Sequence, residues 1–385
     1  MSALNKLFLV DGAKGHTGTF LVKNLLEKYN DCKIIATDLP TGERKKIMTK
    51  EKVFSKDLGY MLEVLNNKRV EYIAADLTKS ETLSPLFEGK KYDAIFHPAS
   101  LYDYFAPLDL LRKINVEGTR NLLEIVCKSQ DLKKLRFMHW STCGVYGEPP
   151  YKYDPKTNYV IPADETAPYN PPNDYSVSKM EQEIVLKEYS EQKKLKTTII
   201  RSAPIFGPYQ TYGTYHILLL IRVMGHGGGI YIHPNKHRLM LPSIHIEDLA
   251  NAAIFLSEKE EAIGEAYNVA HDAVWMDDWL EWLNDKLSVR YTLLPVWFPI
   301  FKLFAKLTAG LAKLRNKKAR KLGIRPILDL PMVKYVTHQY AFSNQKLKDL
   351  GYKFKFDTWT GFQDTINWYF EHNWLPTETN TMEVP

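Results

Sequence analysis

Tyr175 and Lys179 stand four residues apart, a spacing that on a helix brings two side chains to one face. A free phenol has a pKa of about 10, too high for ready proton exchange near neutrality. An ammonium group one turn away, with the positive nicotinamide ring of an oxidised cofactor, would stabilise phenolate, and a lowering of about 3 units would represent roughly 4 kcal/mol. Such a phenol could take a proton from an alcohol or return one to a carbonyl. Taken alone, the pair reads more readily as two exposed residues in a first helical turn. The run Ser141-Thr142-Cys143-Gly144-Val145-Tyr146-Gly147 adds a second group, because the Thr142 hydroxyl could hold the reacting oxygen by a hydrogen bond.

Proton transfer at an alcohol needs an acceptor for the departing hydride, and the stretch Leu7 to Asp38 supplies a place for one. It reads as an apolar run (Leu7, Phe8, Leu9, Val10), a glycine turn (Gly12, Gly15, Gly18), an amphipathic segment (Phe20, Leu21, Leu25, Leu26) and Ile34 to Asp38. That is strand, turn, helix, strand. Gly12 lets the chain leave the strand tightly, Gly15 lets a pyrophosphate approach the backbone, and Gly18 lets the helix lie close on the sheet. The helix start, with His16 and Thr17, points unpaired N–H groups at the phosphates. Asp38, about 20 residues beyond the last glycine, can accept from a ribose 2′-hydroxyl and would repel a 2′-phosphate. NAD is therefore expected, and NADP disfavoured, with Lys14 as the one residue arguing the other way.

Further strands are expected at Val70 to Ala75, Tyr92 to His97 and Leu135 to Trp140, and open parallel sheets place ligands at the C-terminal ends of such strands. Asp76 and Leu77 close the third, where they could meet an adenine; a helix cap at Asp76 or Thr78 is the competing reading. Ala99 and Ser100 follow the fourth, small enough for a dinucleotide to lie on the backbone. Thr142 follows the fifth. The charged stretch Glu43 to Asp57 is expected over the adenosine end. Glu148 to Asn173 is rich in turn formers and long enough to be a functional cover.

These motifs together resemble the extended short-chain dehydrogenase/reductase family over about the first 270 residues; Arg201 to Pro208 and Ile244 to Asp248 are similar to further family segments. The resemblance implies an α/β fold: a Rossmann doubly wound parallel sheet over residues 1–200, completed by 243–270, and a smaller C-terminal substrate-binding lobe from 201–242 and 271–385. It implies Thr142, Tyr175 and Lys179 as the catalytic groups. It adds Asn115 and Pro204 to the cofactor-binding set, Lys179 and Tyr175 being shared with it, and a homodimer through the helices carrying Asn115 and Tyr175. Two departures are Lys14 and His16 in the glycine loop, and Ala99-Ser100 where two alanines are usual.

Composition bounds the rest. The chain has 385 residues, 45% hydrophobic and 25% charged, as in soluble globular proteins. Its three cysteines lack metal-ligand spacing, so no metal is expected and a reducing compartment is. With neither a signal-like start nor a long uncharged apolar run, a cytoplasmic protein is expected. The net charge of +6 is local: eleven Lys or Arg and no acid lie between Lys286 and Leu328. That argues against nucleic-acid binding and for one cationic patch.

Within that patch, a helical wheel over Pro299 to Arg320 gathers Ile300, Phe301, Leu303, Phe304, Leu307, Leu311 and Leu314 on one broad face, opposite Lys302, Lys306, Lys313, Lys317 and Arg320. The segment 296–325 could lie peripherally on an anionic membrane, or simply pack on the core. Sugar-nucleotide enzymes of the family often carry an asparagine after the arginine, where Ser202-Ala203-Pro204 stands here; Arg238 is the remaining candidate for a diphosphate. The absent asparagine and the basic segment resemble the 3β-hydroxysteroid dehydrogenase branch. The expected activity is NAD-dependent interconversion of a secondary alcohol and a ketone on a hydrophobic substrate, such as a sterol or a long-chain β-hydroxy or β-keto compound. Alternatives are a sugar-nucleotide epimerase or dehydratase that retains NAD, and a dinucleotide-sensing protein without turnover.

Overall fold

The computed structural model describes residues 6–40, 63–157, 159–210, 213–225, 228–322 and 330–376. Glu43 to Asp57 therefore lies outside the described residues. The sheet strands are β1 (Leu7–Val10), β2 (Lys33–Asp38), β3 (Val70–Ala74), β4 (Ala94–His97), β5 (Arg136–Thr142), β6 (Lys196–Ser202) and β7 (Ala266–Val269). They pair in the order β7-β6-β5-β4-β1-β2-β3, every pair parallel.

Alternating side chains leave the sheet on opposite faces, and both faces are covered. Leu9, Ile35, Ile95, Phe137 and Ile199 pack with Leu122, Leu123 and Val126 of α2 (Gly118–Ser129) and Val185 and Leu186 of α3 (Asp174–Lys193). Phe8, Val10, Phe96, Met138 and Ile200 pack with Leu21 and Leu25 of α1 (His16–Lys28) and Leu249 and Ala253 of α4 (Ile246–Ser257). Burial on both sides explains why these strands read as continuous apolar runs. The strand order reverses between β1 and β4, and a crevice at that reversal is where such sheets bind ligands.

The rest forms a second lobe around the parallel pair Gly229–Pro234 and Tyr291–Val296, with α5 (Phe298–Leu322) and α6 (Leu330–Tyr335) beside it. The closing helix Thr358–Glu371 returns to the first lobe's exit segment: Phe362 stacks on Phe206 at 4.0 Å, and the Tyr369 hydroxyl donates to Gly207 O over 3.0 Å. The broad apolar face expected for α5 is divided. Phe301 and Ala305 are buried with Ala312 and Ala319, whereas Ile300, Leu303, Leu307, Leu311 and Leu314 are exposed. A wheel groups residues by angle, but the lobe covers only the flank where alanines allow close approach. Among the described residues, no helix is long and apolar enough to cross a membrane.

Candidate active site

β5 runs two residues beyond its expected end, so Thr142 is its last residue and a single 3-10 turn, Cys143–Tyr146, follows. The Thr142 hydroxyl caps that turn, accepting from the Gly144 N–H at 3.0 Å. A Cβ on Gly144 would stand 2.9 Å from Ser176 Oγ and 3.3 Å from Thr142 Oγ1, so glycine lets the turn rest against the first turn of α3. Asn173 caps α3 by accepting from the Ser176 N–H at 2.9 Å. The two elements that carry Thr142 and Tyr175 are thereby held together.

Tyr175 is buried, with Tyr102 and Tyr104 meeting its ring edge-on at 5.0 and 5.5 Å between centroids. Lys179 is buried as well, and its ammonium donates to the Ser100 hydroxyl at 2.8 Å. Burial pulls the Lys179 amine down to about 7, against the pull of Glu183 and Asp11. Burial, with Tyr102 adding to it, pushes the Tyr175 phenol up, so the expected acidic phenol would need the positive nicotinamide ring as well as the amine.

The glycine turn has the geometry its sequence implied. Gly12 has φ +54° and a Cβ there would touch Ala99 Cα at 3.0 Å; a Cβ on Gly18 would fall 2.2 Å from Gly12 O. Gly15 donates to Gly12 O at 2.8 Å and forms the uncapped start of α1, with Thr17 in its first turn. The His16 ring meets Pro208 O at 2.7 Å, and burial lowers it to about 4, so a neutral imidazole ties the loop to the segment beyond β6. A phosphate contact at this residue would fall to its backbone N–H.

At the end of β2, Asp38 accepts from the Lys14 N–H at 2.9 Å and the Leu39 N–H at 2.8 Å. The Lys14 ammonium lies over the Tyr72 ring, 4.0 Å from its centroid. Asp76 behaves as a local cap, accepting from the Thr78 N–H at 2.9 Å and the Thr78 hydroxyl at 2.7 Å. Burial works to raise its carboxyl, but these bonds and Lys79 hold it below the usual range. Leu77 packs under Gly118, and Pro204 O accepts from the Ile244 N–H at 3.0 Å. The Asn115 amide is engaged with Leu101, accepting from its N–H at 2.7 Å, and with Ser178 Oγ at 3.0 Å. It positions the segment after β4 against α3.

Several groups escaped the sequence reading. Asp11 accepts from the Ala99 N–H at 2.8 Å and pairs with His97, whose other nitrogen meets Thr119 Oγ1 at 2.8 Å. The Thr19 hydroxyl donates into the glycine loop, to Ala13 O at 2.9 Å and Gly15 O at 2.8 Å. Beneath Thr142, Arg201 forks onto buried Glu183 at 2.7 Å and donates to the Tyr146 hydroxyl at 2.6 Å. A polar residue ending an apolar strand, as Asp11 does, was the one legible signal among these.

A cavity of about 250 Å³ opens beside Gly144 and Asp174, walled by Tyr104, Pro172, Leu330, Pro331, Tyr335 and Tyr340 together with the polar Asn173, Asn316 and Lys334. Burial pushes the Tyr335 phenol well up, with Tyr340, Tyr102, Cys143 and Tyr175 adding to it, and its ring lies 4.7 Å from that of Tyr340 between centroids.

The uncapped helix start, the close-packed glycines, Asp38 at a strand end and Lys179 on Ser100 fit a dinucleotide lying across the β1/β4 crevice. The sequence pattern of the NAD dependent epimerase/dehydratase family matches residues 8–270. The chain belongs to this family.

It is thus an enzyme of an NAD-dependent family, with the expected Rossmann-type sheet. The human dTDP-D-glucose 4,6-dehydratase is 25% identical over 97% of this chain and 93% of its own length. The decarboxylating sterol-4-alpha-carboxylate 3-dehydrogenase of Candida albicans is 25% identical over 79% of this chain and 84% of its own length. Among solved structures, the dTDP-glucose 4,6-dehydratase of Bacillus anthracis in complex with NAD superposes with a TM-score of 0.66 at 19% identity, over 96% of this chain and 98% of that one. The family thus spans sugar-nucleotide and sterol chemistry.

Proposed function

We propose that this enzyme oxidises a secondary alcohol, or reduces the ketone, on a hydrophobic substrate. The observation that carries this reading is the cavity beside Gly144 and Asp174, whose walls are mainly aromatic and aliphatic, with Asp174 and Lys334 as its two charged groups and Asn173 and Asn316 as its amides among the described residues. Thr142 would hold the substrate oxygen, Tyr175 would exchange its proton, and Lys179 with Ser100 would orient the ribose end of the cofactor. When bound, NAD supplies the hydride acceptor. Gly12, Gly15, Gly18 and Asp38 would hold it.

Arg238, the expected grip for a diphosphate, is forked onto Asp277 at 2.7 Å and paired with Asp278, with its guanidinium over Trp275. A sugar diphosphate would have to break that pair. The whole-length likeness to dTDP-glucose dehydratases favours a second reading, in which NAD is retained through a cycle. Loss of water from a ketosugar needs a further acid and base beside the phenol, and Asp174 is the one carboxylate lining the cavity among the described residues. NADH release with lipid alcohols, and none with dTDP- or UDP-sugars, supports the first reading. Conversion of a sugar nucleotide without net NADH overturns it.

A further inference from the structure

A helix that merely packs on a core turns its large apolar residues inward, and α5 leaves half of them in solvent. Ile300, Leu303, Leu307, Leu311 and Leu314 are each 55–67% exposed, and Trp297, just before the helix, is 64% exposed. Their spacing of three and four residues makes one continuous stripe, about 20 Å long at a helical rise of about 1.5 Å per residue. Beside it, away from the buried flank, lie Lys302, Lys306, Lys313, Lys317 and Lys321, all exposed. No acid occurs on α5. The exposed half of this helix is therefore itself amphipathic, leucines on one side and lysines on the other.

Ordinary solvated helix faces mix both signs of charge and do not line up five large aliphatic residues. The occupant that matches both stripes over their whole length is a surface with an apolar interior and an anionic rim. We propose that α5 docks the enzyme on an anionic lipid bilayer, with its leucines in the acyl boundary and its lysines among the headgroups. The helix lies on the bilayer, being too charged to span it.

A second consequence rests on the hydrophobic substrate proposed above. Asn316 on the inward side of α5, and Pro331, Lys334 and Tyr335 of α6, also wall the catalytic cavity. Docking by α5 would therefore set the outer wall of that cavity at the phase in which a hydrophobic alcohol accumulates.

Flotation of the full chain with vesicles tests the docking without any turnover. Wild-type protein should float with phosphatidylcholine vesicles that contain phosphatidylglycerol and much less with pure phosphatidylcholine. Two variants follow: Leu303→Gln with Leu307→Gln and Leu311→Gln, and Lys306→Gln with Lys313→Gln, Lys317→Gln and Lys321→Gln. Each should lower the floated fraction at least about tenfold while NAD binding and thermal melting stay at wild-type values. Vesicle binding unchanged in the leucine variant overturns the proposal. So does a wild-type chain that ignores vesicles and forms a dimer that the leucine variant dissociates, because a second copy then covers the stripe. If flotation holds and no lipid alcohol reduces NAD, only the substrate reading falls.

Discussion

The Lys179 ammonium donates to the Ser100 hydroxyl across 2.8 Å, joining α3 to the turn that follows β4. The lysine thus belongs to the dinucleotide crevice as much as to Tyr175, one helical turn before it. Its amine is buried, and its strongest neighbouring charges, Glu183 and Asp11, do not fully compensate that burial.

Lys179→Met should remove a buried ionisable group and the positioning of the cofactor at once. Burial lowers the amine from 10.5, its value in an unfolded chain, to about 7 in the folded one. Between those values the unfolded chain holds more protons, so wild-type stability rises with pH across that window relative to the variant. Below about pH 7 the wild type carries the full penalty, on the order of a few kcal/mol. Melting temperatures of both proteins from pH 7 to pH 10 should converge upward, with turnover lost in the variant throughout. A variant that melts lower by a constant amount at every pH would refute the burial argument.

Tyr175→Phe keeps the ring that Tyr102 and Tyr104 pack against and removes only the hydroxyl. Stability and NAD affinity should stay near wild type while kcat falls at least about a hundredfold, the scale of losing a general acid/base. A non-catalytic nucleotide sensor predicts no change in its biological activity. Because burial raises this phenol in the free enzyme, alcohol oxidation should speed up as pH rises from neutrality, where phenolate becomes less scarce.

Asp38→Asn removes the charge that excludes a 2′-phosphate and leaves an acceptor for the Lys14 or Leu39 N–H. NAD affinity should fall about tenfold or more, the worth of a hydrogen bond to a charged group, and the preference over NADP should narrow. Titration of each cofactor by fluorescence reads both changes. An unaltered preference would move the discriminating role elsewhere.

Gly18→Ala would place a methyl 2.2 Å from Gly12 O and 2.8 Å from Ala13 Cα, both backbone atoms that cannot swing aside. The loop must open, with an expected cost of roughly 2–3 kcal/mol and loss of detectable NAD binding. Denaturant melts and cofactor titration measure the two effects separately. Wild-type binding would show that the turn is looser than its geometry.

Glu183→Ala leaves the Arg201 guanidinium buried without its carboxylate and frees Tyr169 and Ser141 from theirs. Leaving one half of a buried pair typically costs about 3–5 kcal/mol. Urea unfolding should show a loss on that scale, and a loss below about 1 kcal/mol would mean that water replaces the pair.

Much of the site was legible in residue order because its parts are local. A glycine turn between a strand and a helix, an acid at the next strand's end and a Tyr-Lys pair one turn apart each obey short-range geometry, so spacing alone exposes them. The polar groups that hold these parts in register were not legible. Asp11 meets Ala99, Lys179 meets Ser100, and Arg201 meets Glu183 only when separate strands, turns and helices pack together. The burial that pushes Tyr175 up was hidden for the same reason, since adjacency in sequence reveals a nearby amine but not what surrounds the ring. Arg238 likewise looked free until the fold brought it to Asp277. On α5 the sequence by itself determined that a helix with an apolar and a cationic side would form, because 3.6-residue periodicity is intrinsic to the chain. Which leucines stayed outside was decided by tertiary packing, because only the assembled lobe specifies the flank it can cover.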